Sequence, residues 1–357
     1  MVTSRTSPAA LALLLLALAA CDNTKADERF EAGLLPGTAT LADGIDLSIA
    51  PGRAHTVDGL VVARAASPTP EISLTTATAG EARFRVANVD PGAAFSPPPS
   101  SRQAVGPTTV ELSYQVPAEG LRIRVEPPSG TGPVHFAVVS DIHNNLETFG
   151  RFSTDVQAWR PEMVLCMGDL TRHGKREEFD EIFGHLTDPG VPVYTTLGNH
   201  ELMGEAAQRF AEEIGPGSVA FDVRGVRVVL ADTAGAGFAP EAYPWLAQAL
   251  WPRASGPALV LAHIPPIEPW GTRDHGFSNR DDGEHFVQAL SEGRTTHFFA
   301  GHIHSWADYT MRGIPATISG GGGGQTESPG GPGHHWMKLV VDPLSPTPVS
   351  ATRVDLD

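Results

Sequence analysis

The stretch Val134-His135-Phe136-Ala137-Val138-Val139 runs straight into Ser140-Asp141-Ile142-His143. Four later blocks repeat that arrangement: Gly168-Asp169, Gly198-Asn199-His200-Glu201, Ala262-His263 and Gly301-His302-Ile303-His304. Each follows a run rich in Val, Leu, Ile or Phe, the signature of a strand buried on both faces. Open α/β sheets place their active sites at the carboxyl ends of such strands. Together the blocks supply carboxylates, imidazoles and one side-chain amide, the donors that hard to borderline divalent cations prefer. No single block carries this reading, because Asp-x-His arises by chance and a lone His more often serves core or surface. The ordered series carries it.

Local geometry sharpens the assignment. Asp141 and His143, two apart beyond a strand, share one side of an extended chain, which suits two ligands for one cation. Asp169 closes Met163-Val164-Leu165-Cys166-Met167-Gly168, a buried-strand signature whose small Gly168 lets the backbone turn sharply. His302 and His304 likewise share a face, so each can address a different member of a metal pair; a surface histidine pair is the plainer alternative. A phosphate ester resists water because both partners are electron-rich. Two cations about 3.5–4 Å apart clamp the attacking and leaving oxygens and lower the pKa of bound water towards about 7. Holding two like charges that close needs a bridging carboxylate, and Asp169 is the natural candidate.

The five blocks resemble the calcineurin-like metallophosphoesterase superfamily, whose pattern is DxH, GD, GNH, a single His, then GHxH. The resemblance covers roughly residues 134–341. It implies a layered α/β/β/α core and two divalent metal ions, Mn, Fe or Zn. Carried over position by position, Asp141, His143 and His304 hold the first, Asn199, His263 and His302 the second, and Asp169 bridges both. His200 would stand beside them as a proton donor or an electrostatic contact to the phosphate; a neutral residue that orients Asn199 is the alternative.

Departures narrow the branch. Purple acid phosphatases carry an iron-binding Tyr three residues after the bridging Asp, and here that position is Arg172. Protein Ser/Thr phosphatases share the GNHE block but also carry GDxxDRG. Gly168-Asp169-Leu170-Thr171-Arg172-His173-Gly174 looks more like the GDLTxxG form of cyclic-nucleotide-phosphodiesterase-like members. Arg172 or His173 can reach a substrate phosphate, although a solvated loop side chain is the commoner role.

At 357 residues the chain is long enough for two domains. Positions 1–20 hold Arg5 and then an apolar run from Pro8 to Ala20, of signal-peptide length and short for a bilayer span. Leu18-Ala19-Ala20-Cys21 resembles the lipobox of bacterial lipoproteins, which implies that Cys21 becomes the lipidated first residue; an ordinary cleaved signal peptide is the alternative. Asp22 resembles a retention signal for the inner membrane of enterobacteria, a rule not general among bacteria. The expectation is an exported lipoprotein of the cell envelope, facing the periplasm or the exterior. Cys166 reads as a small core hydrophobe, so no disulfide is expected. The net charge of −16 comes without a basic patch that could track a nucleic-acid backbone. Long polynucleotides are poor candidates on that ground, and oligomeric state is not readable.

Residues 21–35 read as a polar tether. From 36 to 127, alternating segments such as Val110 to Val116 and Leu121 to Val125, punctuated by Pro and Gly, predict a small immunoglobulin-like or fibronectin-like β-sandwich. It would space the catalytic domain from the membrane or wall its cleft. From 131 to 357 strand and helix alternate. Leu146, Phe149, Phe152, Val156 and Trp159 fall near helical spacing, as do Phe179, Ile182, Phe183 and Leu186. Strands are expected at 191–197, 226–231, 258–261 and 296–299, and antiparallel strands over 307–318 and 334–355 would finish one sheet. Gly320 to Gly324 lack the following Gly-Lys-Ser/Thr of a phosphate loop and read as a flexible loop near the metals. The loop from Ile267 to Arg280, with Trp270, Arg273 and Phe277, is a candidate specificity element.

The sequence therefore predicts an α/β metal-dependent phosphoric ester hydrolase, with phosphodiesters favoured. Phosphomonoesterase or protein phosphatase activity is the enzymatic alternative. A surface binding protein working through its β-sandwich is the alternative from another class, and its signature, a broken ligand set, is absent.

Overall fold

The structure, a computed structural model, describes residues 25–42, 44–251, 256–271, 275–328 and 330–356. Cys21, the apolar leader and Arg273 lie outside them.

Ten strands come first: β1 (Gly37–Thr40), β2 (Asp46–Ala50), β3 (Gly52–Val57), β4 (Leu60–Ala65), β5 (Glu71–Thr75), β6 (Gly80–Ala87), β7 (Ala94–Ser96), β8 (Ser101–Gly106), β9 (Thr109–Val116) and β10 (Leu121–Glu126). They form two five-stranded sheets, ordered β1-β2-β5-β10-β7 and β3-β4-β6-β9-β8. Alternation decides which side chains turn inward. In β9, Val110, Leu112, Tyr114 and Val116 are buried and the residues between them are not. In β6 the buried set is Ala82, Phe84 and Val86, and these meet Leu47, Ile72 and Ile123 of the other sheet in one apolar cluster. Fully burying each large side chain of this kind is worth about 1.5–3 kcal/mol.

The chain then builds β11 (Val134–Val139), α2 (Leu146–Trp159), β12 (Met163–Cys166), α3 (Arg176–His185), β13 (Val193–Thr195), α4 (Ala206–Glu213), β14 (Val219–Val223), β15 (Val226–Ala231), α5 (Tyr243–Leu250), β16 (Ala258–Ala262), α6 (Arg280–Glu292), β17 (His297–Ala300), β18 (Trp306–Met311), β19 (Ile314–Ser319), β20 (His335–Val341) and β21 (Val349–Asp355); the helix over residues 25–34 is α1. One sheet runs β13-β12-β11-β20-β21 and another β14-β15-β16-β17-β19-β18. Within them β11, β12 and β13 are parallel, as are β15, β16 and β17. Phe136, Val138 and Leu165 of the first sheet meet Val228, Leu259, Leu261 and Phe299 of the second in a shared cluster. The opposite face of the first sheet packs on α2, α3 and α4, and that of the second on α5 and α6. Both sets of strands are thus covered on both faces, which explains why they read as continuous apolar runs.

The edge strand β13 is protected by the N-terminal region. The Asn88 side chain accepts from the Val193 amide at 2.8 Å and donates to the Val193 carbonyl at 2.9 Å. A single carboxamide thereby occupies both backbone hydrogen-bonding groups of Val193 on this edge.

Three expectations are corrected. Residues 25–34 of the expected tether are helical and docked: Ala26 and Phe30 pack on the α5–α6 core, Arg29 pairs with Asp232 at 2.9 Å, and Asp27 accepts the Glu241 amide at 3.0 Å. The periodicity of Ala26 and Phe30 is enough to bury one stripe of an otherwise polar helix. Residues 307–318 and 334–355 finish two sheets, not one, since β19 pairs with β17 and β20 with β11. Between them the run Gly320 to Gly324 is no flexible loop but a largely buried crossing from one sheet to the other.

Candidate metal centre

The five blocks lie at the carboxyl ends of five strands. Asp141 and His143 follow β11, Asp169 follows β12, Asn199 and His200 follow β13, His263 follows β16, and His302 and His304 follow β17. Two sheets therefore contribute, and the site sits where their carboxyl edges meet.

The backbone there is not extended. Asp141, His143, Asn144, Asp169 and His302 all have positive φ, at 61°, 52°, 55°, 55° and 67°. Asn, Asp and His tolerate the left-handed region better than other side chains, and clustering of such residues marks functional sites. This corrects the expectation that Asp141 and His143 converge along an extended strand. They converge through a turn sewn to its neighbour, with the amides of Asp141, His143 and Asn144 donating to the carbonyls of Gly168, Asp169 and Leu170 at 3.0, 3.1 and 3.0 Å. Gly168, at φ 92°, is needed for approach: a Cβ there would meet the Gly198 nitrogen at 2.5 Å, and one on Gly198 would meet Asp169 Oδ1 at 2.1 Å.

Four imidazoles aim Nε2 at two carboxylates. His143 Nε2 lies 3.2 Å from Asp169 Oδ2 and 4.0 Å from Asp141 Oδ1. His263 Nε2 lies 3.3 Å from Asp169 Oδ2 and 2.9 Å from Asn199 Oδ1. His304 Nε2 lies 3.4 Å from Asp141 Oδ1, and His200 Nε2 3.9 Å from Asp169 Oδ2. In three of them Nδ1 faces a backbone carbonyl and so donates: His263 to Met167, His304 to Gln325 and His200 to Arg172. A carbonyl partner on one ring nitrogen fixes the tautomer that leaves the other free for a metal. Three triads have ligand atoms within 4.8 Å of one another: Asp141/His143/His304, His143/Asp169/His200 and Asp141/Asp169/His263. His302 is in none of these. Its amide donates to both oxygens of Asp141, at 3.2 and 3.0 Å, and its ring lies 5.2 Å from that of His263.

Electrostatics at the site demand positive charge. Burial disfavours ionised Asp141, but the hydrogen bond from His304 and the charges of His263 and His304 outweigh it and hold the carboxyl below its usual range. Asp169 is held well below that range in spite of its burial, by the charge of His263 and by hydrogen bonds from His143 and His263. Burial works against charge on His263 and His304 too. The carboxylates prevail, Asp169 first for His263 and Asp141 for His304, and raise each to about 9. His302 goes the other way, to about 3, through burial and the His263 charge. Without cations, protonated imidazoles serve as counter-ions for two buried carboxylates.

Two residues have no role in the sequence reading. Glu201 is fully buried and accepts from the amides of Asp169, Thr171 and Gly198 at 2.9, 2.9 and 2.8 Å and from the Thr171 hydroxyl at 3.0 Å. It ties the loop after β12 to the loop after β13. Burial and the Asp169 charge push it up to about 7. Its position three residues after Gly198 in a shared block was the available signal. His275, in the loop marked as a specificity element, sets its ring 5.7 Å from that of His302.

The glycine run walls the site from behind. The amides of Gly322 and Gly324 donate to the carbonyls of Ser140 and Asp141 at 2.8 and 2.9 Å. A Cβ on Gly324 would meet the His304 ring at 2.5 Å, and one on Gly322 the Ser140 carbonyl at 2.3 Å. Only glycine allows a backbone to lie this close. His334 and His335 turn to the carbonyls of Gly324 and Gly333, away from the ligand atoms, and His335 opens β20 as a strand residue. In front, His143, His200 and His304 open onto a cleft of about 470 Å³ whose wall includes the exposed Arg172. A second cavity of the same volume lies behind the β13 loop, between α1 and α4.

A fold of two stacked sheets with histidines and carboxylates at their carboxyl edges defines a metal-binding hydrolase site. Residues 134–306 match the calcineurin-like phosphoesterase family. The chain thus carries a calcineurin-like phosphoesterase domain and is a metal-dependent phosphoester hydrolase. Among solved structures it resembles purple acid phosphatase PPD1 from yellow lupin (Lupinus luteus) seeds, with a TM-score of 0.55 and 12% identity over 81% of this chain and 70% of that one. It also resembles PhoD, with a TM-score of 0.52 and 10% identity over 81% and 87%. A third likeness is to GAP50, the anchor in the inner membrane complex of Plasmodium, with a TM-score of 0.51 and 12% identity over 64% and 86%. At these identities the likeness is one of fold. A search of curated proteins found no match.

Proposed function

We propose that the protein is an exported, lipid-anchored phosphohydrolase with a dinuclear metal centre that prefers phosphodiesters to monoesters. In this reading Asp141, His143 and His304 hold one cation, Asn199, His263 and His302 the other, and Asp169 bridges them. The observation that carries it is the convergence of four Nε2 atoms on two buried carboxylates. That all-N/O donor set fits Mn, Fe or Zn. Bound divalent cations would neutralise the phosphoryl oxygens and supply a nucleophile from water at neutral pH.

The chain's own groups do the rest. Glu201 fixes the loops that present Asp169 and Asn199. His200 gives Nδ1–H to the Arg172 carbonyl, so Nε2 carries a proton only in the imidazolium form. In that form it can protonate the leaving oxygen or contact the phosphate.

The finer architecture follows the same reading. The order helices, sheet, sheet, helices corresponds to a four-layer α/β/β/α sandwich over 131–357, and residues 36–127 to a small immunoglobulin- or fibronectin-like domain serving as spacer or cleft wall. Lipidation of Cys21 would hold α1 within about 14 Å of the acylated residue, the reach of four extended residues. The catalytic unit would then sit against a bacterial membrane rather than at the end of a long leash.

Diester preference draws on the Gly168 to Gly174 block. Its test is hydrolysis of bis(p-nitrophenyl) phosphate against p-nitrophenyl phosphate by the purified protein with Mn²⁺. A higher kcat/KM on the diester supports the reading, and a preference for the monoester makes the protein a phosphatase. Stoichiometric metal with no hydrolysis of either ester overturns it.

A further inference from the structure

The cleft in front of the metal-ligand cluster has an unusual charge balance for a chain of net charge −16. Among the described residues its lining includes no carboxylate, and one of them, Arg172, carries a guanidinium. The neighbouring His173 imidazole is hydrogen-bonded to Glu178 at 2.8 Å, and Arg176, further along the same segment, is paired with Asp180 at 3.6 Å. Arg172 makes no ion pair with a described residue.

Its backbone, by contrast, is tightly held. The Arg172 amide donates to Asn144 Oδ1 at 3.2 Å, and its carbonyl accepts from His200 Nδ1. The residue is therefore pinned between the loop after β11 and the loop after β13, the two that carry His143 and His200, while its side chain stays exposed on the cleft wall. A solvated loop arginine needs no such anchoring. A guanidinium offers a planar fork that matches phosphate and carboxylate oxygens two at a time.

We propose that Arg172 selects substrates whose alcohol portion carries a second anionic group, a phosphate or carboxylate outside the scissile ester. This deepens the phosphohydrolase reading and rests on it. The scissile phosphoryl group belongs among the histidines and carboxylates at the strand ends, so the arm that leaves the site on the His143–His200–His304 side runs along the wall that holds Arg172. An anionic arm there gains a charge-assisted pair on a wall whose nearest acids, Glu178 and Glu181, are held by His173 and Asn144. A cationic arm meets like charge.

Three p-nitrophenyl phosphodiesters separate the possibilities, with the second arm neutral (thymidine), cationic (choline) or anionic (thymidine 3′-phosphate). The purified protein is expected to rank them anionic, neutral, cationic in kcat/KM. Arg172→Gln should lower kcat/KM on the anionic-arm diester about tenfold to a hundredfold, the range for a hydrogen-bonded charge pair, and lower it on the neutral one by a smaller factor. Arg172→Lys, which keeps the charge but not the fork, should fall between. Calorimetric binding of thymidine 3′,5′-bisphosphate against thymidine 5′-monophosphate gives a readout that needs no turnover: the wild type should favour the bisphosphate, and Arg172→Gln should erase the difference. Equal losses on all three diesters and both nucleotides, or no losses, would overturn the proposal. Absent hydrolysis with the binding difference intact would instead count against the phosphohydrolase reading and leave the role of Arg172 standing.

Discussion

The two halves of this chain are built from similar strands and differ in where they tolerate strain. Between the two N-terminal sheets the packed cluster is aliphatic and aromatic, while a buried charge of these strands, Arg64 of β4, lies over the Phe183 ring of α3. Non-glycine residues with positive φ occur there at Asp58, in the Asp58-Gly59 turn between β3 and β4, where a tight hairpin calls for it, and at Asn88, just after β6, whose side chain caps Val193. In the phosphoesterase region five such residues gather at strand ends beside two buried carboxylates and Glu201. Charges that cost energy to bury and backbone that costs energy to bend are concentrated where cations would repay both. The first half is organised for stability and the second gives some of it up at its site.

The sharpest way to break that contrast is a paired substitution. Asp169→Asn or His263→Ala should lower turnover by at least about a thousandfold, the scale of several kcal/mol of transition-state charge stabilisation, with the fold intact by circular dichroism. Phe84→Ala, in the N-terminal core, should cost about 3–5 kcal/mol of stability while kcat per folded molecule stays unchanged. Full activity in Asp169→Asn would sink the site assignment. Loss of kcat in Phe84→Ala, at a temperature where the protein is folded, would show that the two halves are not energetically separate.

A smaller effect is expected at Glu201, which touches the site through three backbone amides and the Thr171 hydroxyl. Glu201→Gln keeps the shape but turns an acceptor-only group into one with two donors facing three N–H groups. It should weaken metal affinity or kcat/KM about tenfold to a hundredfold, as loss of outer-shell partners does. Unchanged metal affinity and kinetics would reduce Glu201 to a packing role.

A further difference is in pH. His263 and His304 have folded pKa values of about 9, above the ordinary 6.5. The stability they add to metal-free protein is fully present below about pH 6.5 and is lost as pH rises through 9. Glu201, raised to about 7, acts in the same direction as it ionises. Thermal melts of metal-free protein should therefore fall in Tm from about pH 6.5 to 9, and metal affinity should rise over that window as binding displaces those protons. A Tm that rises with pH in metal-free protein would contradict the counter-ion picture.

The sequence carried the site further than it carried the path of the backbone. Apolar runs ending in candidate metal donors marked β11, β12, β16 and β17, because a strand buried on both faces leaves a continuous signal. The helices α4, α5 and α6 went unread. α4 and α5 each have only eight residues, and α6 places Gly283 against the Pro266 carbonyl, a close approach that costs helix propensity and weakens the pattern. The left-handed turns at Asp141 and His143 were invisible because residue spacing carries no φ. Glu201 lies within the Gly198-Asn199-His200-Glu201 block, but three of its four partners are backbone amides, which have no residue identity to read. The glycine run misled in the same way: high glycine content signals freedom locally, and here it serves contact with the Ser140–Asp141 backbone.

The central claim is that the strand ends hold a pair of cations bridged by Asp169. The most direct test is metal content per chain, by mass spectrometry of the purified protein after reconstitution with Mn²⁺, compared between wild type and Asp169→Asn. The account predicts two ions per wild-type chain and no more than one in the variant. Two ions retained in Asp169→Asn, or none in the wild type, would contradict it.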